Sequence, residues 1–582
     1  MVQEGKESKG KGGKVATISG GRVVVEVLKA EEVKFMFGLP GGHTLAIYDG
    51  LYNTPEIRHI LVRHEQTAAN MAAAYPMLTG EPGVCCATAG PGATNLATGI
   101  AEAFFGAVPV IFLTGRAPAQ ISLRGAAQEI PQEKVFAPIT KWAVRVERAD
   151  MIAEIMRQAF TIARSGKPGP VLIDFPVDTL MQPVEFAGYV PVGKPPAPRG
   201  NPGLVRMAVD ELLNSKQPIM IAGGGTVMSG AFHEIREFAE TLGLPLLTTL
   251  SGRGSFPDDH PLAVGGLGMH RNKVSKDLLA RADFVLGLGC RFEQFETNWR
   301  PGYVPAANAC YVQVDTDPAE IGKNIIPKIG IVSDIKLLLE DMLQIVREKG
   351  GPDYRTTFKG IPRIKDLVRQ KEVEEAELER PMATNEKPMS ADRVVREIRE
   401  VFPREATAAV DIGCLAQGLG GSSLYFKVYE PRSIIPCTSF YAMGFAASAI
   451  PVARLVYPER PAIAMCGDGS FQMVMNVLPV AVEHHLPVTW CILNNQSLGS
   501  IKDVQEQMYG GRCIATSFTV QPDFALIAQA CKCYGERVED PDQIRAALRR
   551  AINANSQGVP AVLDFVVSRK ESEAAIEYFG SL

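Results

Sequence analysis

The chain repeats one local plan three times, and this repetition limits the folds that it can adopt. In each copy an apolar run leads into a glycine-rich turn, an amphipathic stretch and a second apolar run that opens with a proline after its first residue. The glycine turns occupy residues 89–92, 223–225 and 467–469. Parallel strands need such helical crossovers, which cover both faces of the sheet. The pattern predicts an α/β protein with three doubly wound, parallel-sheet domains.

Two polar stretches place the domain boundaries. Residues 183–202 are rich in proline, which is typical of an extended linker. Residues from about 348 to 387 are polar and charged, and their segment 371–380 is compatible with a short charged helix or a loose connector. We therefore expect the three domains at residues 17–185, 200–347 and 385–570.

The termini and the composition indicate an ordinary soluble enzyme. Residues 1–16 are rich in Lys, Gly, Glu and Ser and are expected to form a disordered tail, and residues 571–582 form a second tail. The 582 residues carry a net charge of −4 with both signs dispersed, which gives no electrostatic reason to expect nucleic-acid binding. No run approaches the ~20 apolar residues that span a bilayer. Eleven cysteines without a CxxC pair favour the reducing cytoplasm.

An acid and an amide stand where two expected strands of the third copy end. Asp468 lies in a Gly-Asp-Gly turn after one apolar run, and Asn495 closes the next apolar run. At the carboxyl ends of adjacent parallel strands, both side chains can bind one hard cation through oxygen. Gly467 and Gly469 let backbone approach closely, and the helix that opens at Ser470 offers unpaired N–H groups to a phosphate. The motif therefore predicts a metal-bridged diphosphate.

Glu65 is the candidate acid of the first domain. It follows the apolar run 60–62 and precedes an expected helix at residues 68–75. A poorly solvated carboxyl group there can stay protonated or hydrogen-bond a basic ring nitrogen. The alternative is a glutamate with no catalytic role, whose negative charge only stabilises the N-terminus of the helix through the helix dipole. The residues alone leave both interpretations open.

From Gly20 to about Val567, the chain resembles the acetolactate synthase-like group of thiamine-diphosphate (ThDP) enzymes. The resemblance is carried by the Gly-Asp-Gly and Asn-Asn motifs and by residues 37–42, 63–66, 89–95, 127–129, 139–141, 167–171, 317–324, 442–445 and 494–499. It implies the ThDP-binding fold, with pyrimidine-binding, central and diphosphate-binding domains in that order. It also implies a homodimer or homotetramer whose cofactor lies at the subunit interface, with Glu65 from one chain and the metal site from the other.

The resemblance assigns roles to individual residues. Glu65 would hydrogen-bond and activate the aminopyrimidine ring, and Met443 would be the apolar wedge that bends the cofactor. Asp468, Asn495 and the backbone carbonyl of Ser497 would hold Mg²⁺ against the diphosphate. Further expected cofactor contacts are Pro40, Thr88, Asn95, Gly413, Cys414, Leu415, Gly467, Gly469, Ser470, Leu498 and Gly499. Gln128 and His43 complete the candidate catalytic set, each as a possible partner of a substrate oxygen.

The chain departs from the family pattern around the expected substrate pocket. Ala127 replaces a common phenylalanine, His43 replaces a small residue, and residues 439–442 and 500–504 differ from the usual sequences. Two substrate classes therefore stay open. One is a 2-oxo acid or related carbonyl compound, as in acetolactate synthases. The other is an acyl-CoA, as in the 2-hydroxyacyl-CoA lyases, which cleave to formyl-CoA and a carbonyl compound or run in reverse, and in the oxalyl-CoA decarboxylases.

The ligand of the central domain also stays open. Residues 287–292 and 315–324 look like flavin-binding segments of acetolactate synthases, while related domains bind ADP or CoA, or nothing. Candidate phosphate contacts are Arg253, Arg271 and Arg291. A flavin- or nicotinamide-dependent oxidoreductase is disfavoured because no G-x-G-x-x-G fingerprint with a spaced acid stands out. A catalytically dead paralogue is disfavoured because the candidate acid and metal ligands are all present.

Overall fold

Three six-stranded parallel sheets form the molecule, each covered by helices, as the sequence predicted. The computed structural model describes residues 16–300, 302–304, 308–413 and 415–569. Residues 1–15 of the expected first tail, the whole expected second tail and Cys414 lie outside the described residues. The expected tail 1–16 is one residue too long, because Ala16 already begins a strand.

The first sheet has the strand order β3-β2-β4-β5-β7-β6, and β1 pairs with β8 as a separate antiparallel ribbon. The strands are Ala16–Ser19 (β1), Phe35–Leu39 (β2), Arg58–Leu61 (β3), Gly83–Ala87 (β4), Val110–Arg116 (β5), Trp142–Arg145 (β6), Pro170–Pro176 (β7) and Pro183–Phe186 (β8). The helices are Gly20–Ala30 (α1), Leu45–Tyr52 (α2), Glu65–Thr79 (α3), Pro91–Thr94 (α4), Ala97–Phe105 (α5), Gln132–Phe136 (α6), Ile152–Arg164 (α7) and Val177–Met181 (α8).

Residues 187–201 lead to the second sheet without helix or strand. This sheet has the order β11-β10-β9-β12-β13-β14. Its strands are Pro218–Ala222 (β9), Leu246–Thr248 (β10), Ala263–Gly266 (β11), Phe284–Leu288 (β12), Cys310–Asp315 (β13) and Ile329–Val332 (β14). The helices are Pro202–Asn214 (α9), Gly224–Ser229 (α10), Phe232–Leu242 (α11), Lys273–Arg281 (α12), Gln294–Thr297 (α13), Ile335–Glu348 (α14) and Pro362–Met382 (α15). The charged segment 371–380 is therefore part of a long helix.

The third sheet has the order β16-β15-β17-β18-β20-β19, which repeats the topology of the first sheet. Its strands are Thr407–Val410 (β15), Ile434–Pro436 (β16), Ala462–Gly467 (β17), Thr489–Asn494 (β18), Tyr534–Val538 (β19) and Ala561–Val566 (β20). The helices are Ala391–Val401 (α16), Phe445–Ala449 (α17), Pro451–Val456 (α18), Asp468–Gln472 (α19), Val477–Glu483 (α20), Gly499–Met508 (α21), Phe524–Ala530 (α22) and Ile544–Ser556 (α23).

The first and third domains share one apolar core. Helix α3 packs against α17 and α18, and its run of buried alanines allows the close approach of α17. Within this contact the amide of Asn70 donates a 2.8 Å hydrogen bond to the hydroxyl of Ser448. The indole of Trp490 in β18 donates to the carbonyl of Ala447 at 2.7 Å, which ties α17 to the third sheet. The two sheets with the same topology are thus held by one packed interface.

Two further observations bear on the sequence predictions. None of the helices in the described ranges is both long and apolar enough to cross a membrane. The cysteines that the structure describes are all free thiols, and most are buried.

Candidate functional site

A first polar cluster lies where β2, β3 and β4 end. Helix α3 begins at Glu65, whose side chain is 7% exposed and accepts a 2.9 Å hydrogen bond from Nδ2 of Asn95. A Cβ on Gly92 would lie 2.7 Å from Cγ2 of Thr88 and 3.3 Å from Oε1 of Glu65, so a larger residue would crowd this carboxyl group. Nδ1 of His43 lies 3.3 Å from Oγ1 of Thr88. The fold thus brings together Glu65, Thr88, Asn95 and His43.

Pro40 and Gln128 flank this cluster. Pro40 is the exposed residue that follows β2. Gln128 has a φ of 61°, and its backbone packs on Gly90, where a Cβ would lie 2.6 Å from the Gln128 carbonyl oxygen. The Gln128 side chain is exposed. Partial burial lowers the pKa of His43, which favours a neutral ring at pH 7.

A second polar cluster lies where β17 and β18 end. These strands are parallel neighbours, with Gly467 opposite Leu493, so Asp468 and Asn495 leave the same edge of the sheet. Asp468 is 2% exposed, and its carboxylate accepts the backbone N–H of Gln496, the residue after Asn495. Burial raises the pKa of Asp468 to about 6, because a desolvated carboxylate without a counter-ion is unfavourable. The arrangement is suited to a cation that would offset this charge.

The residues after β18 form a compact loop around Asn495. Oδ1 of Asn495 accepts hydrogen bonds from the N–H and the hydroxyl of Ser497, each at 3.2 Å. A Cβ on Gly499 would lie 2.8 Å from Nδ2 of Asn495, so glycine lets α21 start close to the amide. The N–H of Leu498 donates to the carbonyl of Thr516 at 2.9 Å, which fixes the loop from outside.

Gln521 also belongs to this second cluster, although no sequence motif points to it. Its Nε2 donates to Oδ2 of Asp468 at 2.8 Å and to Oδ1 of Asn494 at 3.0 Å. Gln521 lies in an irregular segment before α22, far from both motifs in sequence. Only the fold reveals that it orients the Asp468 carboxylate.

An apolar wall stands beside the Gly-Asp-Gly turn. A Cβ on Gly469 would lie 3.1 Å from Cδ2 of Leu498, 3.3 Å from Cε of Met443 and 3.5 Å from Cζ of Phe518. Met443, predicted as a wedge, therefore lies against the turn that carries Asp468. Phe518 is a member of the wall that sequence reasoning missed.

Asp411 fixes the turn after Met443. It follows β15 directly, is fully buried, and accepts the N–H groups of Gly444 at 3.0 Å and of Ala447 at 3.2 Å. Burial raises the pKa of Asp411 to about 6, and the hydroxyl of Ser470 bonds the same carboxylate. Asp411 was not predicted as a site residue, although it follows an apolar strand in the same way as Asp468.

The edge of the third sheet leaves space between these groups. A Cβ on Gly413, Gly418 or Gly467 would meet no atom within 4 Å, and Gly413 has a φ of 122°. Leu415 is buried beside this opening. Among the described residues no group of three His, Cys, Asp or Glu side chains could hold a metal ion, so a metal here would depend on amide and carbonyl oxygens as well as Asp468. Mg²⁺ accepts such hard oxygen ligands together with phosphate.

The two clusters are separate within one chain. The side chain of Glu65 bonds Asn95, and that of Asp468 bonds Gln521 and the Gln496 backbone. Over the described ranges, no hydrogen bond or ion pair joins one cluster to the other.

Comparison with known proteins places each cluster in a defined family domain. Residues 18–135 match the N-terminal TPP binding domain of thiamine pyrophosphate enzymes, residues 205–342 the central domain and residues 411–565 the C-terminal TPP binding domain. The chain is 35% identical to a probable acetolactate synthase large subunit of Methanocaldococcus jannaschii, covering 95% of this chain and 93% of the relative. It is 32% identical to the acetolactate synthase isozyme 3 large subunit of Escherichia coli, covering 95% and 96%.

The chain belongs to the acetolactate synthase-like group of ThDP-dependent enzymes. This confirms the resemblance found in the sequence. It also makes the chain a ThDP-dependent carboligase of the acetolactate synthase-like kind. Glu65 falls in the matched N-terminal domain, and Asp468 and Asn495 fall in the matched C-terminal domain.

A cavity of about 340 Å³ lies between the central domain of this acetolactate synthase-like enzyme and its first domain, whose residues 164–168 also line it. The cavity lies beyond β9 and β12, which adjoin where the strand order reverses, the usual ligand position in open α/β sheets. Gly225 and Gly289 meet there closely: a Cβ on Gly289 would lie 2.5 Å from Cα of Gly225. Arg291, Glu293 and Asp315 contribute charged groups to the lining.

The three arginines predicted as phosphate contacts have different surroundings. Arg291 lines the cavity. The prediction is wrong for Arg253, which is buried in an ion pair with Asp258 at 2.6 Å and donates to the carbonyl of Gly420 at 2.9 Å. The guanidinium of Arg271 lies 3.3 Å from the ring centroid of Tyr303. Of the three, only Arg291 therefore stays a candidate contact in this cavity.

Proposed function

We propose that this acetolactate synthase-like enzyme requires Mg²⁺ and acts on a 2-oxo acid or a related small carbonyl compound. The observation that carries the proposal is the pairing of an intact acid cluster at Glu65 with an intact oxygen-ligand cluster at Asp468 and Asn495. The relatives described above are named acetolactate synthases, which favours the 2-oxo acid over the acyl-CoA. Its proposed domains are residues 17–185, 200–347 and 385–570, and the irregular segment 187–201 between the first two sheets supports this division.

Each cluster has a proposed task. Asp468, Asn495 and the Ser497 carbonyl hold Mg²⁺, and Gln521 orients the Asp468 carboxylate. Gly413, Leu415, Gly467, Gly469, Ser470, Leu498 and Gly499 surround the diphosphate, as would Cys414, which lies outside the described residues. When bound, ThDP supplies a nucleophilic carbon and an electron sink for breaking or forming a C–C bond.

The first cluster handles the proton chemistry. Glu65 hydrogen-bonds a nitrogen of the aminopyrimidine ring from its buried position and so assists proton transfer there. Asn95 keeps the Glu65 carboxyl group in place, and Thr88 and Pro40 form the adjacent wall. His43 and Gln128 lie next to this wall and are the proposed contacts to the substrate oxygens.

The active form is proposed to be a homodimer or a homotetramer, with ThDP at the subunit interface. The relatives described above are named as large subunits of acetolactate synthases, which supports an assembly of several chains. Large apolar side chains are exposed in both the first and the third domain, among them Tyr52, Leu123, Ile514 and Val520. Such exposure in both domains favours burial against a second chain.

The cavity of the central domain is proposed to bind an ADP-containing group, either FAD or CoA. Its position at the reversal of the strand order and its close glycine pair support the proposal, because backbone can approach a pyrophosphate there. Heat-denatured protein should release FAD, detected by its absorbance; if it does not, thermal shifts with FAD and CoA separate the two ligands.

A substrate assay tests the main proposal. Purified protein with ThDP and Mg²⁺ is incubated with pyruvate, and separately with a 2-hydroxyacyl-CoA. Formation of acetolactate, lost on removal of Mg²⁺ by EDTA and restored by its return, is the expected result. Cleavage of the 2-hydroxyacyl-CoA to formyl-CoA and a carbonyl compound, without acetolactate, would instead support a 2-hydroxyacyl-CoA lyase, which the altered residues 127 and 439–442 favour. Activity with neither substrate class would contradict the proposal.

A further inference from the structure

An acid of the first domain reaches the loop that carries Met443. Glu102, in helix α5, is completely buried. One of its carboxylate oxygens accepts the hydroxyl of Thr438, and the other accepts the N–H of Ala442 at 2.6 Å. The contact is close, since a Cβ on Gly106 at the end of α5 would lie 2.8 Å from Cγ2 of Thr438. Glu102 therefore holds both ends of the segment 438–442, immediately before Met443.

This segment needs outside support. It has no helix or strand, and Tyr441 adopts a φ of 56°, which non-glycine residues seldom adopt. The central domain contacts the middle of the segment 438–442, where Arg291 donates a 3.0 Å hydrogen bond to the hydroxyl of Ser439. Phe295 also packs on Tyr441, with ring centroids 4.0 Å apart. The end that joins Met443, however, is bonded to Glu102.

We propose that Glu102 is a positioning residue. By bonding Ala442, it holds the neighbouring Met443 in the position from which Met443 can bend the bound cofactor. The inference rests on the wedge role proposed for Met443. No part of Glu102 touches the Gly-Asp-Gly turn in the described contacts, so its effect passes through Ala442. Helix α5 also follows Asn95, the partner of Glu65. The first domain therefore positions both the acid Glu65 and the loop that carries Met443.

The charge of Glu102 gives the proposal a pH signature. Burial, with a smaller contribution from the nearby carboxylate of Asp411, raises the pKa of Glu102 to about 7. The thiol of Cys437 also faces this group, and burial raises its pKa well above the usual range. Because Asp411 and Cys437 stay in place in a Glu102 variant, the difference between wild type and variant isolates Glu102.

Three variants test the role. Glu102→Ala removes both hydrogen bonds, Glu102→Gln keeps an acceptor for Ala442, and Tyr457→Phe is the control. The Tyr457 hydroxyl donates to the carbonyl of Leu78 at 2.8 Å and so joins the same two domains away from the loop. Hydrogen exchange at the Ala442 amide is measured without cofactor. With ThDP and Mg²⁺ bound, the circular dichroism of the aminopyrimidine tautomers, kcat and the KM for cofactor are measured against pH.

Glu102→Ala should speed exchange at Ala442, diminish the tautomer signal and lower kcat by about 100-fold, the size of effect that a displacement of ~1 Å causes. The KM for cofactor should change much less, because the metal cluster is untouched. Glu102→Gln should restore most of the signal and of kcat but lose any titration near pH 7. Tyr457→Phe should match wild type in all of these.

The proposal is overturned if folded Glu102→Ala matches Tyr457→Phe in tautomer signal and kcat, whatever its stability. Should Glu102→Ala not fold, Thr438→Val removes one of the two bonds and must then shift the tautomer signal. Wild type that binds no ThDP would overturn the proposed function and this inference together. Wild type that binds ThDP with variants that leave the signal unchanged would overturn this inference alone.

Discussion

Asn95 donates a 2.9 Å hydrogen bond to the buried carboxyl group of Glu65, across the turn that joins β4 to its helix. This bond fixes the carboxyl group at the sheet edge rather than leaving it free to turn toward bulk solvent. It therefore distinguishes a positioned acid from a glutamate that merely favours a helix N-terminus. The distinction is open to a direct test.

Glu65→Gln should lower kcat by about 10²- to 10⁴-fold, the usual contribution of a positioned acid or base. The amide has nearly the same shape and can still accept from Asn95, so the fold and cofactor affinity should persist. The measurements are steady-state kinetics, the melting temperature and a ThDP titration. If the residue serves only the helix dipole, the variant would lose well under about 1 kcal/mol of stability and keep its kcat.

Gln521→Leu should weaken Mg²⁺ binding by about 10- to 100-fold, because groups that orient a metal ligand contribute on this scale. Asp468→Asn should weaken it more, since the carboxylate itself is lost. Isothermal titration calorimetry, with Mg²⁺ added to protein that contains ThDP, measures the Mg²⁺ affinity of each variant. Gln529→Leu is the control, because the Gln529 amide bonds the carbonyl of Gly535 on the outside of the same domain. Equal affinities in Gln521→Leu and the control would remove Gln521 from the metal site.

The sequence predicted the strand ends that carry the site residues, but not the residues that pack against them or hydrogen-bond to them. Apolar runs that end in Asp468 or Asn495 define strand ends, because strand periodicity and burial are local properties of the chain. Gln521 and Phe518 come from irregular segments whose position depends on the packing of the whole domain, so no local pattern reveals them. Asp411 differs from both groups. It follows an apolar strand, as Asp468 does, but it belongs to no recognised motif and so was not predicted.

Mixing two inactive variants should restore activity if the cofactor lies between chains. In a heterodimer of Glu65→Gln and Asp468→Asn, one site carries both changes and the other carries neither. Random exchange of subunits makes half of the dimers mixed, so activity should return to about a quarter of the wild-type value for a two-fold dimer. The assay is turnover after denaturation and joint refolding, compared with each variant refolded alone. Recovery no greater than the sum of the separate variants would place both clusters of a site in one chain.

His270 should make the central domain sensitive to acid. Burial, together with the nearby positive charge of Arg253, lowers the pKa of His270 to about 4. Neither ring nitrogen has a hydrogen-bond partner within the described part of the chain. The folded protein keeps the ring neutral, whereas the unfolded chain takes up a proton below about pH 6.5, so stability is lost as the pH falls from 6.5 towards 4. The difference corresponds to about 3 kcal/mol at pH 4.

His270→Phe removes this proton uptake with little change of side-chain volume. Buried acids with raised pKa values, such as Asp411, act in the opposite direction in wild type and variant alike, so the comparison isolates the imidazole. Urea unfolding at pH 7 and pH 5 should show a smaller loss of unfolding free energy in His270→Phe than in wild type, by about 2 kcal/mol. His233→Gln, an exposed change in α11 of the same domain, should keep the wild-type loss. Identical losses in all three proteins would show that the His270 ring is solvated enough to take up its proton in the folded state.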